Sequence, residues 1–185
     1  MTAKEGVRQA LKVIGLEGLA GAYVPANSAV EAYVQLVTDL FDDTSTRQHV
    51  YRELKRQGLI YITEVDNGFR VGVTPKGGLK LLQIQADDVS IPPMKKWDQK
   101  WRLVCFDIPK GKNSERLYLN RRLHELQFTM LQRSMWVHPF ECMEEMRIIT
   151  DYLNLTRYVT VLEVTKLDEQ NTRRLLRTYE SVLNA

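Results

Sequence analysis

Gln48, Arg52, Lys55 and Arg56 fall on one side of a short segment. Winding residues 46–57 at about 100° per residue puts Val50 and Leu54 opposite them, with His49 at the edge. Arginine and lysine so placed can neutralise phosphates, and glutamine or arginine can read base edges in a major groove. The plain alternative is a solvated basic face on a core helix. Arg70 follows in an adjoining strand, but Glu64 and Asp66 make that strand pair acidic for something meant to track DNA. A second kind of chemistry is offered by Asp107, at the end of an apolar run in Phe106-Asp107-Ile108-Pro109. A carboxylate there can bind a hard cation such as magnesium or manganese. One carboxylate is too few, and two would have to meet across a dimer axis. Otherwise Asp107 caps or pairs with Lys110 to Lys112.

Residues 95–122 hold nine basic side chains against Asp98, Asp107 and Glu115. Lys110, Lys112, Arg116, Arg121 and Arg122 form a second basic segment that can attract polyanions or simply be solvated. Trp97, Lys100, Trp101 and Arg102, with Arg133, Trp136 and His138, could stack on bases, although such tryptophans more commonly pack in a core or an interface. His49, His124 and His138 are too scattered for a zinc site. No Ser-His-Asp pattern, glycine-rich phosphate loop or Cys-His pairing is present.

These residues must be held by elements. Residues 4–14 have helical spacing. Gly15, Gly18 and Gly21 suit either a closely packed helix edge or a broken loop. Asn27 or Ser28 can cap a helix carrying Val30, Val34, Val37 and Phe41, and Thr44 or Ser45 can cap the next, which Gly58 stops. Leu59 to Val65 and Phe69 to Val73 flank Asp66-Asn67-Gly68, which predicts a hairpin with a type I′ turn. Another helix follows Thr74-Pro75. Paired prolines and paired charges over Ala86 to Asp98 suggest a stiff linker.

The second half reads as strand (101–108), helix from Ser114, two strands (128–132 and 135–137), helix (141–153) and strand (158–164). This βαββαβ order is ferredoxin-like, with an amphipathic last helix over 168–183. The expected fold class is α+β: an N-terminal winged helix-turn-helix over 1–86, a linker over 87–95, and a ferredoxin-like domain with a C-terminal helix over 96–185. The length of 185 residues, 44% hydrophobic and 26% charged, fits folded domains rather than disorder. No apolar run spans a membrane, two cysteines make no disulfide framework, and the N-terminus lacks a signal-peptide core. A cytoplasmic protein is expected. Net charge is only +3.

Lys96-Trp97-Asp98, Lys100 to Val104 and Phe106-Asp107-Ile108-Pro109 resemble the middle domain of the PaaX family of transcriptional repressors, and Leu131 to Cys142 resembles the same family's hairpin motif. Val50 to Leu54 and Thr74 to Gly77 look like its winged helix. That middle domain is similar in fold to the small CRISPR-associated adaptation endonuclease. The resemblance implies a regulator that binds double-stranded DNA, dimerises through its ferredoxin-like domain and needs no cofactor. It implies a short form without the family's C-terminal effector domain, so an aryl-CoA effector is not expected. It also gives Asp107 the position of the endonuclease's metal-binding catalytic aspartate, making a magnesium- or manganese-dependent nuclease the rival. Leu117, Tyr118 and the last helix are candidate dimer surface.

Overall fold

The computed structural model describes residues 2–16 and 20–183, and Gly18 lies outside them. The chain is α+β and divides into two compact units, residues 1–84 and 85–185.

Unit 1 runs α1 (Ala3–Gly15), β1 (Ala22–Val24), α2 (Ala29–Val37), α3 (Thr44–Arg56), β2 (Ile60–Val65), β3 (Gly68–Val73) and most of α4 (Pro75–Asp88). Helix starts follow from side-chain oxygens. Thr2 Oγ1 accepts the Glu5 amide and Ser28 Oγ the Glu31 amide. At α3 the cap is Asp43, whose Oδ1 accepts the Thr46 amide at 2.7 Å, rather than the expected Thr44 or Ser45. An ionised carboxylate is a strong acceptor at the positive end of a helix, so it displaces the hydroxyls. The helix therefore begins two residues early. It ends at Gly58, whose φ of 65° suits glycine, with the Leu59 amide closing on Leu54 O at 3.0 Å.

The three strands form an antiparallel sheet in the order β1-β3-β2. Strand β1 was not expected, since three residues beside glycines carry little periodicity. Its presence explains Gly68: a Cβ there would meet Val24 O at 2.5 Å. The hairpin turn is Asp66–Asn67, with Val65 paired to Gly68. Only Asn67 has positive φ, at 62°, so the expected type I′ turn is not formed. The core joins Leu11 and Ile14 of α1, Tyr33 and Val37 of α2, Val50 and Leu54 of α3, and Val71 of β3.

Unit 2 runs β4 (Trp101–Phe106), α5 (Asn113–Glu125), β5 (Thr129–Gln132), β6 (Met135–His138), α6 (Met143–Tyr152), β7 (Val159–Val164), α7 (Glu169–Thr178) and α8 (Glu180–Leu183). Its antiparallel sheet has the order β5-β6-β4-β7, so the first strand sits between the third and the last. One buried cluster joins Val104, Phe106 and Trp136 to Leu119 and Leu123 of α5 and Met146 and Ile149 of α6. A second joins Trp101, Leu103 and Val137 to Leu175 and Tyr179. Strand β4 is thus covered on both faces, which is why it reads as one apolar run.

The single last helix expected over 168–183 breaks at Tyr179 into α7 and α8. The Tyr179 hydroxyl donates to Gln127 O and Val137 O at 2.7 and 2.9 Å, and Thr129 Oγ1 donates to it at 3.0 Å. At Tyr179 the backbone leaves the helical region, with φ −103° and ψ 12°.

The segment over 87–95 is itself tied down. Val89 and Ile91 pack on the unit 2 core, Tyr118 donates to Asp87 Oδ1 at 2.5 Å, and Arg122 Nη2 donates to Val89 O at 2.9 Å.

Candidate nucleic-acid interface

Helix α3 buries Val50 and Leu54 completely and leaves Gln48, His49, Arg52, Lys55 and Arg56 exposed. Thr44 and Ser45, expected as caps, become exposed residues of its first turn because Asp43 is the cap. The cations of this face are not equivalent. Arg56 is held by Glu53 in a two-pronged pair, Nε to Oε2 at 2.8 Å and Nη2 to Oε1 at 2.6 Å. Glu53 also accepts Gln57 Nε2 at 2.6 Å. The Arg56 and Gln57 donors hold its carboxyl down at about 2. Arg47 folds back to donate twice to Phe41 O. Arg52 donates to Gln48 O at 3.3 Å and stays exposed, as does Lys55. The outward positive charge of α3 is therefore concentrated on Arg52 and Lys55. Arg70 sits mid-strand on β3, opposite Tyr23 and Thr63, and donates to Ala20 O at 3.2 Å. The turn ahead of it exposes Glu64 and Asp66.

The second basic segment is largely committed to structure. Lys112 bonds Glu115 at 3.4 Å, and Arg116 donates to Ile108 O. Arg121 stacks on the Tyr118 ring at 4.8 Å and pairs with Glu125 at 3.6 Å. Arg122 is a correction: it is buried at 6% exposure, bonded to Glu125 and to Val89 O, and cannot meet a polyanion. Its place on the stripe Leu119, Leu123, Leu126 is the reason. Lys110 stands exposed on the turn before α5.

Most of the aromatic cluster is likewise internal, although Trp97 and Lys100 are half-buried and Arg133 is exposed. Trp101, Trp136, His138 and Arg102 are buried at 2, 1, 5 and 4% exposure, so none of them can stack on a base. Arg102 sits among three carboxylates, with Asp98 at 2.6 Å, Glu141 at 3.1 Å and Glu163 at 3.4 Å. Asp98 and then Glu141 hold its guanidinium firmly charged, against burial. His138 goes the other way, since burial lowers it to about 4. Its Nδ1 lies 3.1 Å from the Phe140 amide and 3.4 Å from Phe140 O, so the Phe140 backbone partners that nitrogen in either tautomer.

Asp107 is exposed just past β4, its amide donating to Tyr158 O at 3.0 Å. It lies on an open recess of about 490 Å³ shared with Cys105, Ser134, Met135, Arg157 and Tyr158. No group of three histidine, cysteine, aspartate or glutamate side chains able to hold a metal occurs among the described residues. The donors around Asp107 therefore do not make a divalent-cation site within one chain.

Two α+β units, one with a basic helix beside a hairpin and one with a βαββαβ sheet, make a two-part protein. Residues 94–176 match the family model for the PaaX protein central Cas2-like domain. That domain belongs to the family that Lys96 to Arg102 and Leu131 to Cys142 resemble. No curated protein matches the chain. Among the described residues, no helix is long and apolar enough to cross a membrane.

Proposed function

We propose that the chain is a PaaX-family transcriptional regulator that binds double-stranded DNA. In this reading unit 1 is a winged helix and α3 enters the major groove. Thr44, Ser45 and Gln48 face base edges from the first turns, and Arg52 and Lys55 grip phosphates. Unit 2 is a ferredoxin-like domain that pairs two copies, so that two α3 helices meet half-sites about one helical turn, or a multiple of it, apart. Two exposed cations, Arg52 and Lys55, on the outer face of a helix, beside an antiparallel hairpin and in a chain with a PaaX central domain, carry the reading.

The dimer surface on this view is the outer sheet face that α7 leaves open. Cys105 pairs across the strands with Met135 and Thr160, and Leu162, opposite Leu103, is 45% exposed. Leu117 is 62% exposed and remains available, whereas Tyr118 is held within its own unit by Asp87 and by Tyr152, whose ring lies 5.4 Å away.

The test selects bound duplexes from a random pool in EDTA, then measures their affinity against salt. Enrichment of a two-fold symmetric sequence is expected. Replacing Arg52 and Lys55 with alanine should lower the salt slope by about 0.9 for each phosphate that no longer meets a cation. A double variant that binds as wild type does would remove α3 as the DNA-binding element. Cutting that requires manganese and disappears in Asp107→Asn would replace this reading with a nuclease.

A further inference from the structure

We infer that α7 gives unit 2 a grip of its own on duplex DNA, in which Arg173, Arg174 and Arg177 hold backbone phosphates without reading sequence. The inference rests on the reading that the chain binds DNA, but it uses none of the residues of α3.

Helix α7 buries Leu175 completely, and Tyr179 just past its end is buried too. Its apolar side is thereby spent on the cluster that holds Trp101, Leu103 and Val137. At about 100° per residue, Gln170, Arg173, Arg174 and Arg177 fall within one arc of about 100° on the side away from Leu175. All four are exposed, and with Glu169 they border one open recess. Arg173 and Arg177 stand one turn apart, about 6 Å along the axis.

The acids nearby do not cancel this charge. Asp168 is the helix cap, and its oxygens accept the backbone and side-chain nitrogens of Asn171 at 2.9 and 2.7 Å. Glu169 pairs with Arg173, with the two side chains 78% and 70% exposed. So exposed a pair is worth little and gives way to a phosphate. Glu180 lies beyond the end of α7. Arg174 Nη2 donates to Met130 O at 2.7 Å, which anchors this guanidinium on β5 and leaves its other N–H groups for a ligand. Arg177 makes no side-chain hydrogen bond or ion pair among the described residues.

The make-up of the arc selects the partner. A guanidinium fork matches a phosphate. Three of them within one turn suit a polymer of phosphates, and a DNA duplex carries one charge for about every 1.7 Å of its axis. A lipid surface is bound through apolar side chains beside the cations, and the arc has none. Single strands are held by stacking on exposed aromatic rings, and the arc has none of these either. Only Gln170 is a neutral side chain able to address a base edge, so the contact positions the duplex and does not specify it.

The experiment measures the affinity of the full chain, against salt, for a duplex enriched from a random pool and for a scrambled one. Arg173→Gln with Arg177→Gln should lower the salt slope by about 1.8 on both duplexes, weaken both about tenfold and leave their ratio unchanged. Arg173→Lys with Arg177→Lys should keep the slope. Gln170→Glu retains every arginine and adds helix-favouring pairs three and four residues apart, so it should melt no lower than wild type while weakening both duplexes about threefold. An unchanged slope in the glutamine pair would overturn the inference, and so would a loss confined to the enriched duplex. Tighter binding to phosphatidylserine vesicles than to the scrambled duplex would replace it with a membrane surface. Arg52→Ala with Lys55→Ala separates the two readings. If α3 fails, that pair binds as wild type does while the glutamine pair still loses slope; if α7 fails, the pattern is reversed.

Discussion

Helices α3 and α5 are both 13 residues long and both basic, yet they use their cations in opposite ways. In α3 the apolar positions Val50 and Leu54 leave Arg52 and Lys55 facing out. In α5 the stripe Leu119, Leu123, Leu126 carries Arg122 inward with it, and its neighbours bond to Glu115, Glu125 and a backbone carbonyl. A run of positive charge in a sequence is therefore not a run of positive surface. Register against the apolar stripe decides which cations meet solvent. A buried guanidinium needs partners for its charge and its N–H groups, so burial selects for structure over recognition.

This contrast can be broken most forcefully at Arg102. Arg102→Met should cost about 4 kcal/mol of stability, because it takes the buried cation from Asp98 and Glu141 and leaves Glu163 with Lys100 alone. Chemical denaturation measures this, and a cost near zero would mean that the network is ornamental. The second effect is pH dependence. Unfolded His138 takes a proton below about pH 6.5, while the folded ring does so only near pH 4. Its stabilising contribution is complete above pH 6.5, falls between 6.5 and 4, and is level below. The loss is on the order of 3 kcal/mol. Urea midpoints at pH 7 and pH 4.5 should differ accordingly, and His138→Gln should flatten that part of the profile.

Smaller effects are expected on α3. Arg52→Ala with Lys55→Ala should weaken duplex binding about tenfold at moderate salt, with the melting temperature unchanged. The smallest change expected is a gain. Glu53→Gln releases Arg56 from its pair and should tighten binding about threefold, an exposed ion pair being weak. Anisotropy titrations with labelled duplex read both, and a loss of affinity in Glu53→Gln would show that the pair itself orients Arg56.

Much of the fold was legible because its pattern is local. The stripe Val50, Leu54 defines the face of α3, and Leu103 to Phe106 marks a strand buried on both sides. The PaaX motifs at Lys96 to Arg102 and Leu131 to Cys142 lie within the matched domain. What escaped was set by partners distant in sequence. Strand β1 is three residues that exist as a strand only because β3 pairs with them. The turn slid one residue because Gly68 is required beneath Val24, not in the bend. Trp136 and His138 read as core, interface or base-stacking residues alike, because nothing local announces that α5 and Phe140 cover them. Arg122 was legible after all: spacing of three and four from Leu119 and Leu126 put it on the buried stripe, and its charge masked that.

The two thiols have a practical corollary. Cys142 is fully buried, and burial pushes its thiol up to about 12, whereas Cys105 is half-buried on the open face of the sheet, beside Met135 and Thr160. A maleimide dye given to the folded chain should therefore mark one position, with no engineered cysteine. Its attachment rate becomes a footprint of that face: constant on dilution if the face stays bare, and slower at high concentration if a second copy shades it.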